Sequence, residues 1–129
     1  MHRSRLGSIG IDCNDLDTGV FFWSATLGMD VADRSERYAD LEGDVGGLRI
    51  FLQHVPEPKA CKTRVHLDIE SDDVEAEVNR LVDLGARTRE KIHTWWVMED
   101  PSGNEFCVVQ PETPGFPERT RTWSTLRHE

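Results

Sequence analysis

The sequence predicts an α+β fold in which one unit, a strand followed by a helix and three further strands, occurs twice. Three observations lead there. The same order of element types runs through both halves of the chain, the mark of an internal repeat. The helix-end pairs Leu27-Gly28 and Leu84-Gly85 match at a separation of 57 residues. The two leading strands match at a separation of 58, with Ser8 against His66 and Ile11 against Ile69.

The first strand is Leu6-Gly7-Ser8-Ile9-Gly10-Ile11-Asp12-Cys13, where apolar residues alternate with small or polar ones. Asn14 and Asp15 can cap a helix over about 16–27, with Leu16, Val20, Phe21, Trp23 and Leu27 near one face and Gly28 as its stop. Strands follow at about 30–32, 37–41 and 48–55, punctuated by the hairpin glycines Gly43, Gly46 and Gly47. Pro56-Glu57-Pro58-Lys59 breaks the chain and reads as a linker. Arg64-Val65-His66-Leu67-Asp68-Ile69-Glu70 is again an alternating strand. Ser71, Asp72 and Asp73 cap a second helix with Val74, Val78, Leu81, Val82 and Leu84 on its apolar side, ending at Gly85. The last strands fall at about 88–93, 95–99 and 105–110, with Asp100-Pro101-Ser102-Gly103-Asn104 turning between the last two.

The chain has 129 residues, enough for one core and too few for two independent ones. Hydrophobic residues make up 37% and charged residues 30%, the balance of a globular protein. The formal net charge is −9, which disfavours nucleic acid and anionic membrane surfaces as partners. No apolar run approaches the ~20 residues of a membrane span. The polar start Met1-His2-Arg3-Ser4-Arg5 argues against a secretory signal. Cys13, Cys61 and Cys107 have neither an even count nor metal-motif spacing, so a reduced, cytoplasmic protein is expected.

Asp15-Leu16, Leu27-Gly28, His66-Leu67-Asp68, Leu84-Gly85-Ala86 and Asp100-Pro101-Ser102-Gly103-Asn104-Glu105-Phe106-Cys107 occur in an order and spacing that resembles the vicinal oxygen chelate superfamily. That superfamily includes glyoxalase I, bleomycin-resistance proteins and extradiol dioxygenases, and the chain looks most like its small glyoxalase-like members. The resemblance covers about residues 6–110. It implies a single domain of two βαβββ modules, at about 6–55 and 63–110, joined by a linker at about 56–62 and followed by a tail, 111–129. The modules would curl their sheets into an open mixed β cup, with helices outside and ligands inside, and two chains share one cup in some relatives.

Within that fold, alternation turns Ile9, Ile11 and Cys13 toward the first helix and Ser8, Gly10 and Asp12 into the cup. Leu67 and Ile69 pack on the second helix, while Arg64, His66, Asp68 and Glu70 point inward, a costly arrangement for a dry core. The resemblance implies four metal-ligand positions in the metal-using members. Here they hold Ser8, Phe51 (with Gln53 a two-residue slip away), His66 and Cys107. Phe offers no ligand atom and Ser is a poor one, so no metal and no other cofactor is expected. Gln53 or Asp68 are the residues that could add an arm to His66 and Cys107.

His66, beside Asp68, reads as a ligand-contacting imidazole or as one hydrogen-bonded within the cup. Cys107 is a small buried hydrophobe unless a nearby base makes it a thiolate. Arg64 could draw in an anionic substrate, though a rim salt bridge is the plainer role. Trp95 and Trp96 are neighbours, so one faces in and can form a flat wall for a ligand. Glu105 is expected at the rim, Cys13 in the core, Cys61 in an exposed loop, and Trp123 folded back onto the domain. The functional expectation is a small organic molecule held in the cup by Ser8, Phe51, Gln53, His66, Asp68, Trp95 or Trp96, and Cys107. The alternative is a lyase- or isomerase-type enzyme using His66 with Asp68 or Cys107, with or without a metal. A homodimer fits either reading.

Overall fold

The computed structural model describes residues 1–124. The first module is β1 (Ser8–Cys13), α1 (Leu16–Leu27), β2 (Val31–Arg34), β3 (Tyr38–Leu41) and β4 (Arg49–His54). The second is β5 (Asp68–Glu70), α2 (Val74–Leu84), β6 (Arg87–Ile92), β7 (Trp95–Glu99) and β8 (Glu105–Val109). Each module forms its own four-stranded mixed sheet, ordered β1-β4-β3-β2 (sheet one) and β5-β8-β7-β6 (sheet two), and neither closes into a barrel. The leading strand of each module runs parallel to its last strand, β1 with β4 and β5 with β8, and the other pairs are antiparallel. The predicted α+β fold of two βαβββ modules is thus the observed one.

Local chemistry sets the helix ends. Asp15 accepts a hydrogen bond from the Thr18 amide, and Asp73 accepts one from Ala76, so each carboxylate takes up one otherwise unpaired amide of its first turn. Gly28 ends α1 in the left-handed region at φ 67°. Asn14 has a different job from capping: its side-chain amide donates to the Val55 and Glu57 carbonyls, pinning the linker.

Both helices pack into one core between the two sheets. Ile11, Ile50, Leu52, Ala39 and Leu41 form the helix side of sheet one; Met98, Phe106 and Val108 form that of sheet two. α1 touches both. Trp23 and Phe22 stack edge-on, and the Phe106 ring from sheet two lies 5.4 Å from Trp23 and 6.0 Å from Phe22. This second neighbour corrects the expected apolar face. Phe21 is 58% exposed and Phe22 fully buried, because a helix covered on two sides buries more than one stripe. Gly19 lets α1 approach β1, since a Cβ there would collide with Cys13 Sγ.

The turn after β7 ties the modules together. Asp100, 1% exposed, accepts from Trp23 Nε1 and Asn104 Nδ2 at 2.9 Å, and from the amides of Ser102 and Asn104 at 2.9 and 2.8 Å. Asn104 also donates to the Asp12 carbonyl on β1 at 3.0 Å.

Two expectations need correction. The strand predicted over 64–70 has only three residues in the ladder, Asp68–Glu70. Its pairing with β8 begins where Cys107 donates to the Leu67 carbonyl. Before that point the Thr63 amide donates to the Glu105 carboxylate at 2.7 Å, so a side chain captures the backbone and the ladder stops. Glu105 is therefore buried, not at the rim. Trp123 does fold back, with the Arg80 guanidinium 3.8 Å from its ring centroid, and the tail beyond Ser124 lies outside the described residues. No helix among the described residues is long and apolar enough to cross a membrane.

Candidate functional site

Strand pairing sorts the candidate residues by face. On sheet one, Gly10, Phe51 and Asp40 lie side by side on the face away from the helices, as do Asp12, Gln53 and Tyr38. Ser8 shares that face at the start of β1. Phe51 lies across Gly10, where a Cβ would come within 2.5 Å of its ring, and its centroid is 6.4 Å from that of Tyr38. Glycine at position 10 is thus what lets the aromatic side chain lie flat on the strand.

On sheet two, Asp68, Cys107, Val97 and Glu90 form one row across the face away from the helices. Trp95 shares that face with Val97 by parity. Trp96 is on the other side, where its indole donates to Glu75 of α2 at 2.9 Å. His66 precedes the strand and leans on it, with Nδ1 3.4 Å from Asp68 Oδ1. The ligand-capable atoms of His66, Asp68 and Cys107 all lie within 4.8 Å of one another. The structure therefore brings His66, Asp68 and Cys107 together with Trp95 on the same face. Ser8, Phe51 and Gln53 belong to the other sheet, with the shared core between, and Trp96 belongs to the helix side.

Beside this cluster the linker bends over sheet two and leaves a cleft of about 400 Å³, lined by Lys59, Cys61, Lys62, Arg89, Ile92 and Val97 among others. The buried Glu105 fastens it. Its carboxylate meets Lys59 at 2.6 Å, Arg89 at 3.1 Å and the Thr63 amide at 2.7 Å. Burial pushes the Glu105 pKa up, but the hydrogen bonds from Lys59 and Thr63 and the lysine charge outweigh it and bring it down to about 2. The sequence reading missed Lys59, Lys62 and Arg89, having treated 56–62 as a mere connector. The available signal was the run of bases Lys59, Lys62 and Arg64 in so acidic a chain. A larger concavity, about 1010 Å³, lies under the tail between α1 and α2, and Asp68 is the one candidate residue it touches.

Burial raises the pKa of two thiols, Cys13 and Cys107. Burial first, then the nearby Asp100, Asp12 and Asp15, pushes Cys13 up to about 12. Burial and Asp68 also raise Cys107, against an opposing pull from Lys62. The metal-ligand set of the superfamily does not fit this chain. Phe51 offers a ring packed on Gly10 where a carboxylate is needed, and the ligand-capable residues that do lie together are His66, Asp68 and Cys107.

No curated protein matches the chain. Among solved structures, a glyoxalase-related enzyme from Fulvimarina pelagi is similar at a TM-score of 0.69 and 13% identity, over 84% of this chain and 89% of that one. A glyoxalase/bleomycin resistance protein/dioxygenase family enzyme from Burkholderia phytofirmans PsJN is similar at 0.66 and 18% identity, over 81% and 97%. TnmS3, an antibiotic binding protein from Streptomyces sp. CB03234, is similar at 0.62 and 23% identity, over 87% and 99%. These likenesses agree with the fold derived above, and residues 8–109 match the family described as glyoxalase-like domain, from the first residue of β1 to the last of β8. With both modules inside that match, this chain belongs to the glyoxalase-like domain family of the vicinal oxygen chelate superfamily.

Proposed function

We propose that this protein binds a small organic molecule, without a metal, on the open face of sheet two that carries His66, Asp68, Cys107 and Trp95. The observation that carries the binding part of this reading is the convergence of the His66, Asp68 and Cys107 polar atoms within 4.8 Å, a group that could also hold an ion, beside a cleft with an apolar wall; the metal-free part rests on Phe51 standing at a ligand position. Pockets that bind small molecules combine a few converging polar groups with apolar contact area. TnmS3, which has the same fold, is described as an antibiotic binding protein, and that supports a binding role.

The same reading extends to a homodimer. Phe51 and His66 of one chain sit on faces with the core between them, so a cup holding both side chains needs two copies. Three free cysteines suit a reducing cytoplasm.

A thermal-shift panel of small aromatic and heteroaromatic compounds tests the binding reading. A true ligand raises stability by about 2.7 kcal/mol at roughly 100 times its Kd. The shift is expected to disappear in His66→Ala and in Trp95→Ala. A panel with no stabilising compound, or stabilisation indifferent to both variants, contradicts it. Elemental analysis is expected to find no stoichiometric zinc, nickel or iron, and one ion per chain lost on His66→Ala would contradict the metal-free part.

One observation favours a second reading, the pairing of His66 Nδ1 with Asp68 Oδ1 at 3.4 Å, which would orient the imidazole as a general base in a lyase or isomerase. The raised Cys107 pKa weighs against a thiolate nucleophile. Mass spectrometry of the stabilising compounds after incubation separates the readings, since a binder returns them unchanged.

A further inference from the structure

The chain carries a net charge of −9, yet its linker collects cations over the proposed binding face. Lys59 and Lys62 line the 400 Å³ cleft with Arg89 from β6, and Arg64 follows two residues later. These cations are not equivalent. Lys59 and Arg89 share Glu105, at 2.6 and 3.1 Å, and Arg89 also reaches Glu99 at 3.4 Å, so each is held by a carboxylate. Lys62 and Arg64 make no hydrogen bond or ion pair with any described residue. Lys62 also acts electrostatically on Cys107, so its charge reaches the centre of the open face. Across the cleft, Ile92 and Val97 give an apolar floor, and Val97 pairs directly with Cys107 on the next strand. The cleft therefore lies one strand away from Cys107 of the His66 cluster.

Positive charge beside a low-dielectric wall concentrates anions, here against the carboxylates Glu90 and Glu105 of the same lining and the field of the rest of this molecule. We propose that the ligand of this face is an organic anion, with a carboxylate or phosphate group held by Lys62 over the Glu105-anchored linker and a flat apolar body lying across Val97 toward Trp95. This inference rests on the binding reading above and specifies its ligand class. The Glu105 anchor supplies the preorganisation. It fixes the linker backbone at Thr63, so Lys62 is presented from a held strap.

Calorimetry with three probes that share one ring system tests it: 2-naphthoate, 2-naphthyl phosphate and neutral 2-naphthol, each against the full chain, Lys62→Gln and Lys62→Glu. Lys62 is exposed, so neither variant threatens the fold. Both anions are expected to bind at least about tenfold more tightly than 2-naphthol, the worth of one charge-assisted contact. Lys62→Gln is expected to remove about that factor, Lys62→Glu more, and added salt to weaken only the anions. The ratio of the two anions separates a carboxylate ligand from a phosphate ester. Equal binding of 2-naphthol and the anions, unchanged by either Lys62 variant, overturns the anion assignment and leaves the binding face standing. So does a thermal panel whose Trp95-dependent ligands are neutral while all three naphthyl probes fail. Failure of every compound on wild-type protein overturns both.

Discussion

Glu105 does three jobs with one carboxylate. It ends the β5–β8 ladder by taking the Thr63 amide, fastens Lys59, and holds Arg89 over the cleft. Its pKa, about 2 in the folded protein against an ordinary 4.5, fixes the sign of its pH effect. A depressed carboxylate stabilises the fold fully above its ordinary value and loses that contribution as pH falls through the folded one. Stability is therefore expected to fall between about pH 4.5 and about pH 2, with a shallower loss in Glu105→Gln across that window. Chemical denaturation at stepped pH checks this, and equal slopes would contradict it. The sequence places Glu105 two positions before Cys107 and beside a turn, from which a rim position follows. What it cannot supply is the linker that returns over the strand and covers it.

The legible elements were those whose pattern comes from one neighbour. β1 shows its alternation because one face meets α1 and the other is open, and α2 shows its stripe at Val78 and Leu81 for the same reason, although Val82, read on that stripe, is 43% exposed. α1 was misread at Phe21 and Phe22 because Phe106, 84 residues beyond Phe22, buries a second side of it. β5 was read too long because alternation continues through Arg64–Leu67 although the hydrogen bonds do not. The turn at Asp100 was legible as a turn and not as a joint between modules. Asp100→Ala removes the buried acceptor of four hydrogen bonds and strands the Trp23 indole N–H. A loss of about 3 kcal/mol is expected in urea unfolding, the range for breaking a buried charged network. A change under about 1 kcal/mol would show that the joint matters little.

For the whole molecule, the two sheets present their open faces on either side of a shared core, and this arrangement decides how the candidate residues combine. Alternation put His66 and Asp68 on one face, the family resemblance placed Cys107 with them, and the pattern left open which of Trp95 and Trp96 joined them; the structure brings the first three within 4.8 Å and has Trp95 on their face. Phe51 was grouped with them through the family's ligand positions, with the sharing of a cup between two chains left open, because strand patterns do not say which sheets face each other. If two copies complete each cup, mixing Phe51→Ala with His66→Ala chains gives a mixed dimer with one cup damaged twice and the other intact. That dimer is expected to bind one ligand at wild-type affinity, where each parent dimer binds weakly. Titration of the purified mixed species checks it, and a mixed dimer as weak as its parents would refute the shared cup. The most direct test of the central claim, that the open face of sheet two is the binding face, is intrinsic tryptophan fluorescence on adding a stabilising compound. Four tryptophans report, and Trp95 is the one on that face; contacts place the other three elsewhere, Trp23 in the core, Trp96 against Glu75 and Trp123 on Arg80. The account predicts a saturable change that is lost in Trp95→Ala and kept in Trp96→Ala. A change that survives in Trp95→Ala and disappears in Trp96→Ala would put the ligand on the wrong side of the sheet and contradict it.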